Sequence, residues 1–342
     1  MSQAAVSVRC PGKTNLELKV GPRRSDWGDR HLLDTTYCAV GIYDTVTVAL
    51  KSPGRGFSLD IRGDHLGDLG QGQADMGSNL AVQALFALAQ AGGREPDASI
   101  RIDKRIPVGA GLAGGSADAA GVLLALNILW RLDWPHERLE EVAAGLGADV
   151  PFCLRGGILR GRDYGQTLEP AAPGPHLLGP SMAAGGSGHL LVGAYLDELG
   201  TADVYTAFDT MGGNPEDDND LQRAACNLHP RSRQAIELAL RAGAERAFVS
   251  GSGPSVVALL PDLATARRIR NTWAESCAVD RIIAADAPAW PELSYTVSSD
   301  PVEGGQDHAG RREEPMGVPG PGGPALGTGR TPSVAPLVNP IA

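Results

Sequence analysis

Residues 107–121, PVGAGLAGGSADAAG, place five glycines in the thirteen positions from Gly109 to Gly121. A plain turn does not need that density, because each ordered glycine costs about 0.5–1 kcal/mol of backbone entropy. Glycines crowded just ahead of a helix make sense where backbone N–H groups must approach an anion closely. A helix N-terminus at Ser116 would add roughly half a positive charge. Two phosphate-binding patterns are approached here. Gly109, Gly111 and Gly114 satisfy G-x-G-x-x-G, and Gly109, Gly114 and Ser116 fit G-x-x-x-x-G-K-[ST] except that Gly115 stands in the lysine position. A dinucleotide site requires a second parallel strand after the helix and an acid about twenty residues on. Asp133 lies at that distance, but it opens an amphipathic helix and no Val/Ile-rich strand follows. The better reading is a phosphate-cradling loop that takes its cation from elsewhere in the chain.

The elements that must hold this loop follow from periodicity. Alternating apolar residues predict one bulged strand or two short ones over 6–20, then strands over 43–50, 57–63 and 98–108, the last feeding the loop. Helices are expected over 78–93, 116–132 and 133–147, the second apolar on nearly every side and so buried. Asp133 is expected to cap the third. Strand-like pieces at 157–161 and 189–196 flank a Pro/Gly-rich stretch at 170–188, the expected domain boundary. Beyond it the pattern predicts helices over 201–211, 219–226, 231–242 and 262–276, with strands over 246–249, 255–260 and 279–286. The expectation is an α+β chain with domains at 1–170 and 171–297. The Pro/Gly-rich remainder, 298–342, has too little apolar content to offset its ordering entropy and reads as a disordered tail.

Bulk properties narrow the class. The net charge is −10, against a nucleic-acid binder, which needs a concentrated basic face. No apolar run approaches membrane-spanning length, and no charged-then-apolar leader pattern is seen. Five scattered cysteines without C-x-x-C spacing suggest reduced thiols, and with them a cytoplasmic setting, rather than a disulfide frame or a zinc site. The expected partner is a small molecule, with no nucleic acid and no membrane. The oligomeric state is left open.

Three segments together carry a resemblance. PVGAGLAGGSADAAGVL resembles the second motif of the GHMP small-molecule kinases, VSGSGPSVVAL (249–259) their C-terminal glycine motif, and CPGKTNLEL (10–18) their N-terminal motif, in the right order across the chain. Within that superfamily, GKTNLELKVGPRRSDWGDRH, YDTVTV, SNLAVQAL, GLGADVPFCLRGG, GTADVYTAF and NDLQRAA are similar to the branch acting on a cytidine-diphosphate methylerythritol in non-mevalonate isoprenoid synthesis. The resemblance covers roughly residues 6–290. It implies the two-domain GHMP kinase fold: an N-terminal domain like domain 2 of ribosomal protein S5, with a left-handed βαβ crossover, and a ferredoxin-like C-terminal domain. It also implies ATP and Mg²⁺ as cofactors and transfer of the γ-phosphoryl group to the 2-hydroxyl of that substrate, or to another small alcohol.

Carried over residue by residue, the resemblance implies that Pro107, Val108, Gly109, Ala110, Gly111, Leu112, Ala113, Gly114, Gly115, Ser116 and Ala117 wrap ATP. Ser116 is either a phosphate or Mg²⁺ contact or only a helix cap. Asp149 matches the catalytic aspartate that orients or deprotonates the hydroxyl, and the surrounding GLGADVPF favours that role over a simple turn before Val-Pro. Lys13 matches the lysine that counters charge on the transferred group, the cation missing at Gly115. Asn15, on the same strand face, would bind substrate. His31 would contact the cytosine, Tyr205 would stack on it, and Thr201 would lie near the diphosphate. Gly251, Ser252 and Gly253 would line the cleft. Arg30 stands before His31 where an aromatic residue is usual, and Ala117 where a second serine is usual.

Overall fold

The computed structural model describes residues 3–64, 66 and 76–298. Apart from Ser298, the expected tail lies outside the described residues. Two sheets carry the chain. The first is built on a long hairpin, β1 (Gln3–Arg24) and β2 (Arg30–Leu50), with β4 (Ala98–Asp103) antiparallel to β2 and β3 (Ser58–Arg62) parallel to β4. The parallel β3–β4 pair is joined through α1 (Leu80–Gly92). Near its middle β2 also pairs with β5 (Ile158–Arg162), which pairs with β6 (Thr167–Pro170). The apolar helix α2 (Gly114–Leu129) packs on β1, β2 and α1, while α3 (His136–Leu146) and the short α4 (Val150–Arg155) complete the layer. Val8, Val46, Ile100 and Leu123 are buried in the shared core, where removal of apolar area from water supplies the main stabilisation.

After the short α5 (Pro180–Ala183), the second sheet has the order β10–β7–β9–β8, all antiparallel. Its elements are β7 (Gly188–Ala194), α6 (Thr201–Met211), α7 (Gln222–Leu228), α8 (Pro230–Arg241), β8 (Arg246–Val249), β9 (Val256–Leu259), α9 (Leu263–Glu275) and β10 (Arg281–Ala287). With α6–α8 taken as one layer this is the βαββαβ order of the expected ferredoxin-like domain. Trp273, Ile236 and Val256 are buried in its core. The chain then returns to the first sheet, where β11 (Glu292–Ser298) pairs with β1. Arg246 ties the two units: its guanidinium donates to the carbonyls of Leu16 (2.9 Å) and Leu177 (2.7 Å) and to Asp218 (2.6 Å).

Several details differ from the sequence reading. β1 is one strand with register shifts at Pro11/Gly12, Asn15/Glu17 and Val20/Arg23. β2 begins thirteen residues earlier than expected, at Arg30, because residues 35–40 are buried on both faces and show no alternation. α2 starts at Gly114 rather than Ser116, with Ala113 at its N-cap in the left-handed region (φ 56°). α3 starts at His136, since Asp133 is left-handed (φ 51°) and Pro135 takes the N-cap position. α4, β6 and β11 are short elements that periodicity did not reveal.

Candidate active site

The glycine loop closes against the second domain. The Ser250 hydroxyl donates to the Gly111 carbonyl (3.1 Å), and the backbone N–H of Lys13 donates to the Leu112 carbonyl (3.0 Å). Gly111 has φ 73°, and a Cβ there would lie 2.1 Å from the Ser250 carbonyl oxygen and 3.0 Å from that of Gly253. Only glycine fits both the backbone conformation and the seam. Asn219 fixes the opposing turn, donating to the carbonyls of Val249 (2.9 Å) and Gly251 (2.8 Å) while accepting from the N–H of Leu221 (2.9 Å).

The seam bounds a cavity of about 970 Å³. From the expected set it brings together Lys13, Asn15, His31, Pro107, Val108, Gly109, Ala110, Gly111, Ala113, Gly114, Gly115, Asp149, Thr201, Tyr205, Gly251, Ser252 and Gly253. Three expected residues are not on its wall. Leu112 and Ala117 are buried in the core beneath the loop, and Ser116 lies in the first turn of α2, past the N-cap. The walls nearest the loop offer backbone, a helix N-terminus and two lysines, Lys13 and Lys104, a set that fits a chain of phosphates.

Lys13 and Asp149 meet at the mouth of this cradle, with Lys13 Nζ 3.6 Å from Asp149 Oδ2. Lys13 is buried on β1, where its ammonium also donates to Asn15 Oδ1 (2.9 Å). Asn15 in turn donates to Thr35 Oγ1 (2.7 Å), and Thr35 donates to the Glu17 carbonyl (2.7 Å). Asp149 sits at the N-cap of α4 but makes no side-chain cap bond. Its carboxylate goes instead to Lys13 and to the Tyr37 hydroxyl, which donates to Oδ1 at 3.0 Å. The side chain is 30% exposed, and the exposed part faces the cavity.

At another wall His31 and Tyr205 are stacked, with ring centroids 5.3 Å apart and planes at 22°. His31 Nδ1 lies 2.8 Å from the Gly21 carbonyl, which can only accept, so Nδ1 carries a proton. Nε2 lies 3.1 Å from Asp209, a carboxylate also held by Arg23. The Arg30 guanidinium lies 5.0 Å over the Tyr164 ring, and both residues line the cavity. Thr201 and Ser252 are joined through their hydroxyls at 3.1 Å.

Sequence reasoning missed two features. One is Tyr37. The other is a buried charge cluster under the loop, where Lys104 Nζ lies 2.5 Å from Asp44 and 2.6 Å from Asp118. Asp44 Oδ1 also accepts the N–H groups of Arg105 and Ile106, pinning the entry to the loop. Gly114 leaves room for this ammonium, which would lie 3.1 Å from a Cβ there. One lysine cannot neutralise two buried carboxylates. Asp118 Oδ1 has no hydrogen-bond partner, and burial pushes the Asp118 carboxyl up to about 8, against the opposing pull of Lys104. The two carboxylates raise the Lys104 ammonium despite its burial. The periodic signal was an acid one turn into α2 and a lysine at the end of β4, but neither spacing says that they meet.

Fold and site together define a small-molecule kinase. Two family models match the chain, GHMP kinases N terminal domain over residues 79–157 and GHMP kinases C terminal over 202–279. The chain belongs to the GHMP kinase family. It is 58% identical over 292 residues to the 4-diphosphocytidyl-2-C-methyl-D-erythritol kinase of Bifidobacterium adolescentis, covering 85% of this chain and 95% of that protein. It is 40% identical over 278 residues to the protein of the same name from Mycobacterium avium, covering 77% and 84%. Among solved structures, a 4-(cytidine 5'-diphospho)-2C-methyl-D-erythritol kinase superposes with TM-score 0.62 at 28% identity, covering 83% of this chain and 99% of that one. The homoserine kinase of Cytophaga hutchinsonii reaches the same TM-score at 18% identity, covering 85% and 97%, a likeness of fold alone.

Proposed function

We propose that this protein transfers the γ-phosphoryl group of ATP to the 2-hydroxyl of 4-diphosphocytidyl-2-C-methyl-D-erythritol, as the names of its relatives indicate for them. The observation that carries the chemistry is the meeting of Lys13 and Asp149 at the mouth of the glycine cradle. Residues 107–115 and the N-terminus of α2 bind the ATP phosphates. Asp149 orients the attacking hydroxyl and takes its proton, while Lys13 offsets charge on the transferred oxygens. Ser116 lies in the first turn of α2, beside this helix terminus, and Asn15 fixes the Lys13 head. Mg²⁺, when bound with ATP, neutralises phosphate charge. It fits this site as a phosphate-borne ion, and Asp149, on the same cavity wall, is a carboxylate that could help to hold it.

The stacked His31–Tyr205 pair supports a site for the flat cytosine ring, since aromatic faces hold bases by about 1–3 kcal/mol each. Thr201, with Ser252 and the turn 251–253, offers hydroxyl and backbone donors for the diphosphate. No helix among the described residues is long and apolar enough to cross a membrane. The test is ADP release from Mg-ATP with the cytidylyl substrate, homoserine and mevalonate in parallel. Turnover with the first alone is expected. Turnover only with another alcohol would overturn the substrate assignment and leave the kinase standing.

A further inference from the structure

The Tyr37 hydroxyl has one hydrogen to donate, and it goes to Asp149 Oδ1. Everything around the ring fixes it there. Tyr37 is 2% exposed and stacks on Phe152 at 4.8 Å. Two glycines open the slot it fills: a Cβ at Gly161 would lie 2.5 Å from ring Cε2, and one at Gly165 would lie 2.4 Å from the hydroxyl oxygen. The ring therefore has no room to swing away from the carboxylate. On the β1–β2 ladder Tyr37 stands opposite Asn15, the residue that holds the Lys13 ammonium. One rung of the hairpin thus sets both donors to Asp149, the phenol at Oδ1 and the lysine beside Oδ2. Burial and the neighbouring carboxylate push the Tyr37 phenol well above its ordinary range, so it remains a donor and cannot serve as a base.

We propose that Tyr37 is a positioning residue for phosphoryl transfer: its hydroxyl occupies Asp149 Oδ1 and leaves Oδ2, on the Lys13 side, to receive the proton of the alcohol. In that step the alcohol O–H bond breaks and its proton goes to Oδ2. The new O–P bond forms at the γ-phosphorus, and the bond from that phosphorus to the bridging oxygen breaks, with ADP leaving. The inference rests on the reading of Asp149 given above but not on which alcohol is the substrate, so any alcohol that the protein turns over serves as probe.

Tyr37→Phe keeps the ring in its slot and removes only the donor. Loss of one well-placed hydrogen bond is worth roughly tenfold in rate. The expected result is a kcat about tenfold lower, with KM for ATP and for the alcohol unchanged and with the melting temperature near wild type. The same substitution added to Asp149→Asn is expected to cause no further loss, because the bond that it removes has lost its ionised acceptor. A Tyr37→Phe enzyme with wild-type kcat overturns the proposal. So does an equal tenfold loss in the Asp149→Asn background, which would mark a general packing effect. Full activity of Asp149→Asn itself would overturn the reading beneath it, and is distinguishable because it needs no change at Tyr37.

Discussion

Replacing Gly111 by alanine tests whether the seam between the glycine loop and the Ser250 turn holds the ATP cradle. Gly93, at the C-cap of α1, is the matched control, because it has φ 60° and an added Cβ there would meet nothing within 4 Å. Forcing an L-residue into the left-handed region costs about 1–2 kcal/mol at either site. Gly93→Ala pays that cost alone. At Gly111 (φ 73°) the new methyl would also stand 2.1 Å from the Ser250 carbonyl oxygen. Ordinary contact lies near ~3.5 Å, so backbone must move by about 1 Å or more. That movement separates the partners of the Ser250–Gly111 and Lys13–Leu112 hydrogen bonds, each worth about 1 kcal/mol. The total for Gly111→Ala is about 3–4 kcal/mol. At about 2–4 °C per kcal/mol for a chain of this order, its melting temperature falls at least twice as far as that of Gly93→Ala. Calorimetry with ATP is expected to show affinity lost in Gly111→Ala and retained in Gly93→Ala. Equal melting shifts and unchanged ATP affinity in the two variants would refute the rigid seam.

Two further expectations concern charge. The native protein holds a proton on Asp118 up to about pH 8, whereas the unfolded chain has released it above the ordinary carboxylate range. Stability from this group therefore falls as pH rises through that window, and Asp118→Asn, which cannot ionise, flattens the fall. Denaturant midpoints at pH 5, 7 and 9 check it, and parallel curves for the two proteins would contradict it. Lys13→Met is expected to lower kcat by roughly a hundredfold, as loss of a buried donor to developing charge does, while the fold persists. Steady-state kinetics beside circular dichroism measures both, and a kcat within threefold of wild type would remove Lys13 from the chemistry.

The parts of this site written in local sequence were legible, and those written in tertiary contact were not. Glycine density before an apolar helix pointed to the phosphate cradle proposed above because the physics is local: bare backbone N–H groups and a helix terminus. The resemblance supplied Lys13 and Asp149, which lie on β1 and at the head of α4 and meet only when α4 packs against β1. Asp149 could have been a turn residue on sequence grounds, and its free cap position in α4 shows that its carboxylate is spent elsewhere. Tyr37 was invisible for the reason that hid the first half of β2. Residues 35–40 are covered by β1 and β5 neighbours and by Phe152, so no alternation marks the strand or the face that the tyrosine takes. The Lys104–Asp44–Asp118 cluster escaped because it joins three elements distant in sequence, and buried charges are recognised only by their partners. β11 was missed because a seven-residue edge strand carries little pattern of its own.

Phosphoryl transfer from ATP to the 2-hydroxyl of the cytidylyl substrate can be followed by phosphorus NMR of the complete reaction. One new phosphomonoester signal is expected to grow in step with ADP, with the two diphosphate signals of the substrate retained. ADP formed with inorganic phosphate and no new monoester, or consumption of the diphosphate signals, would contradict it.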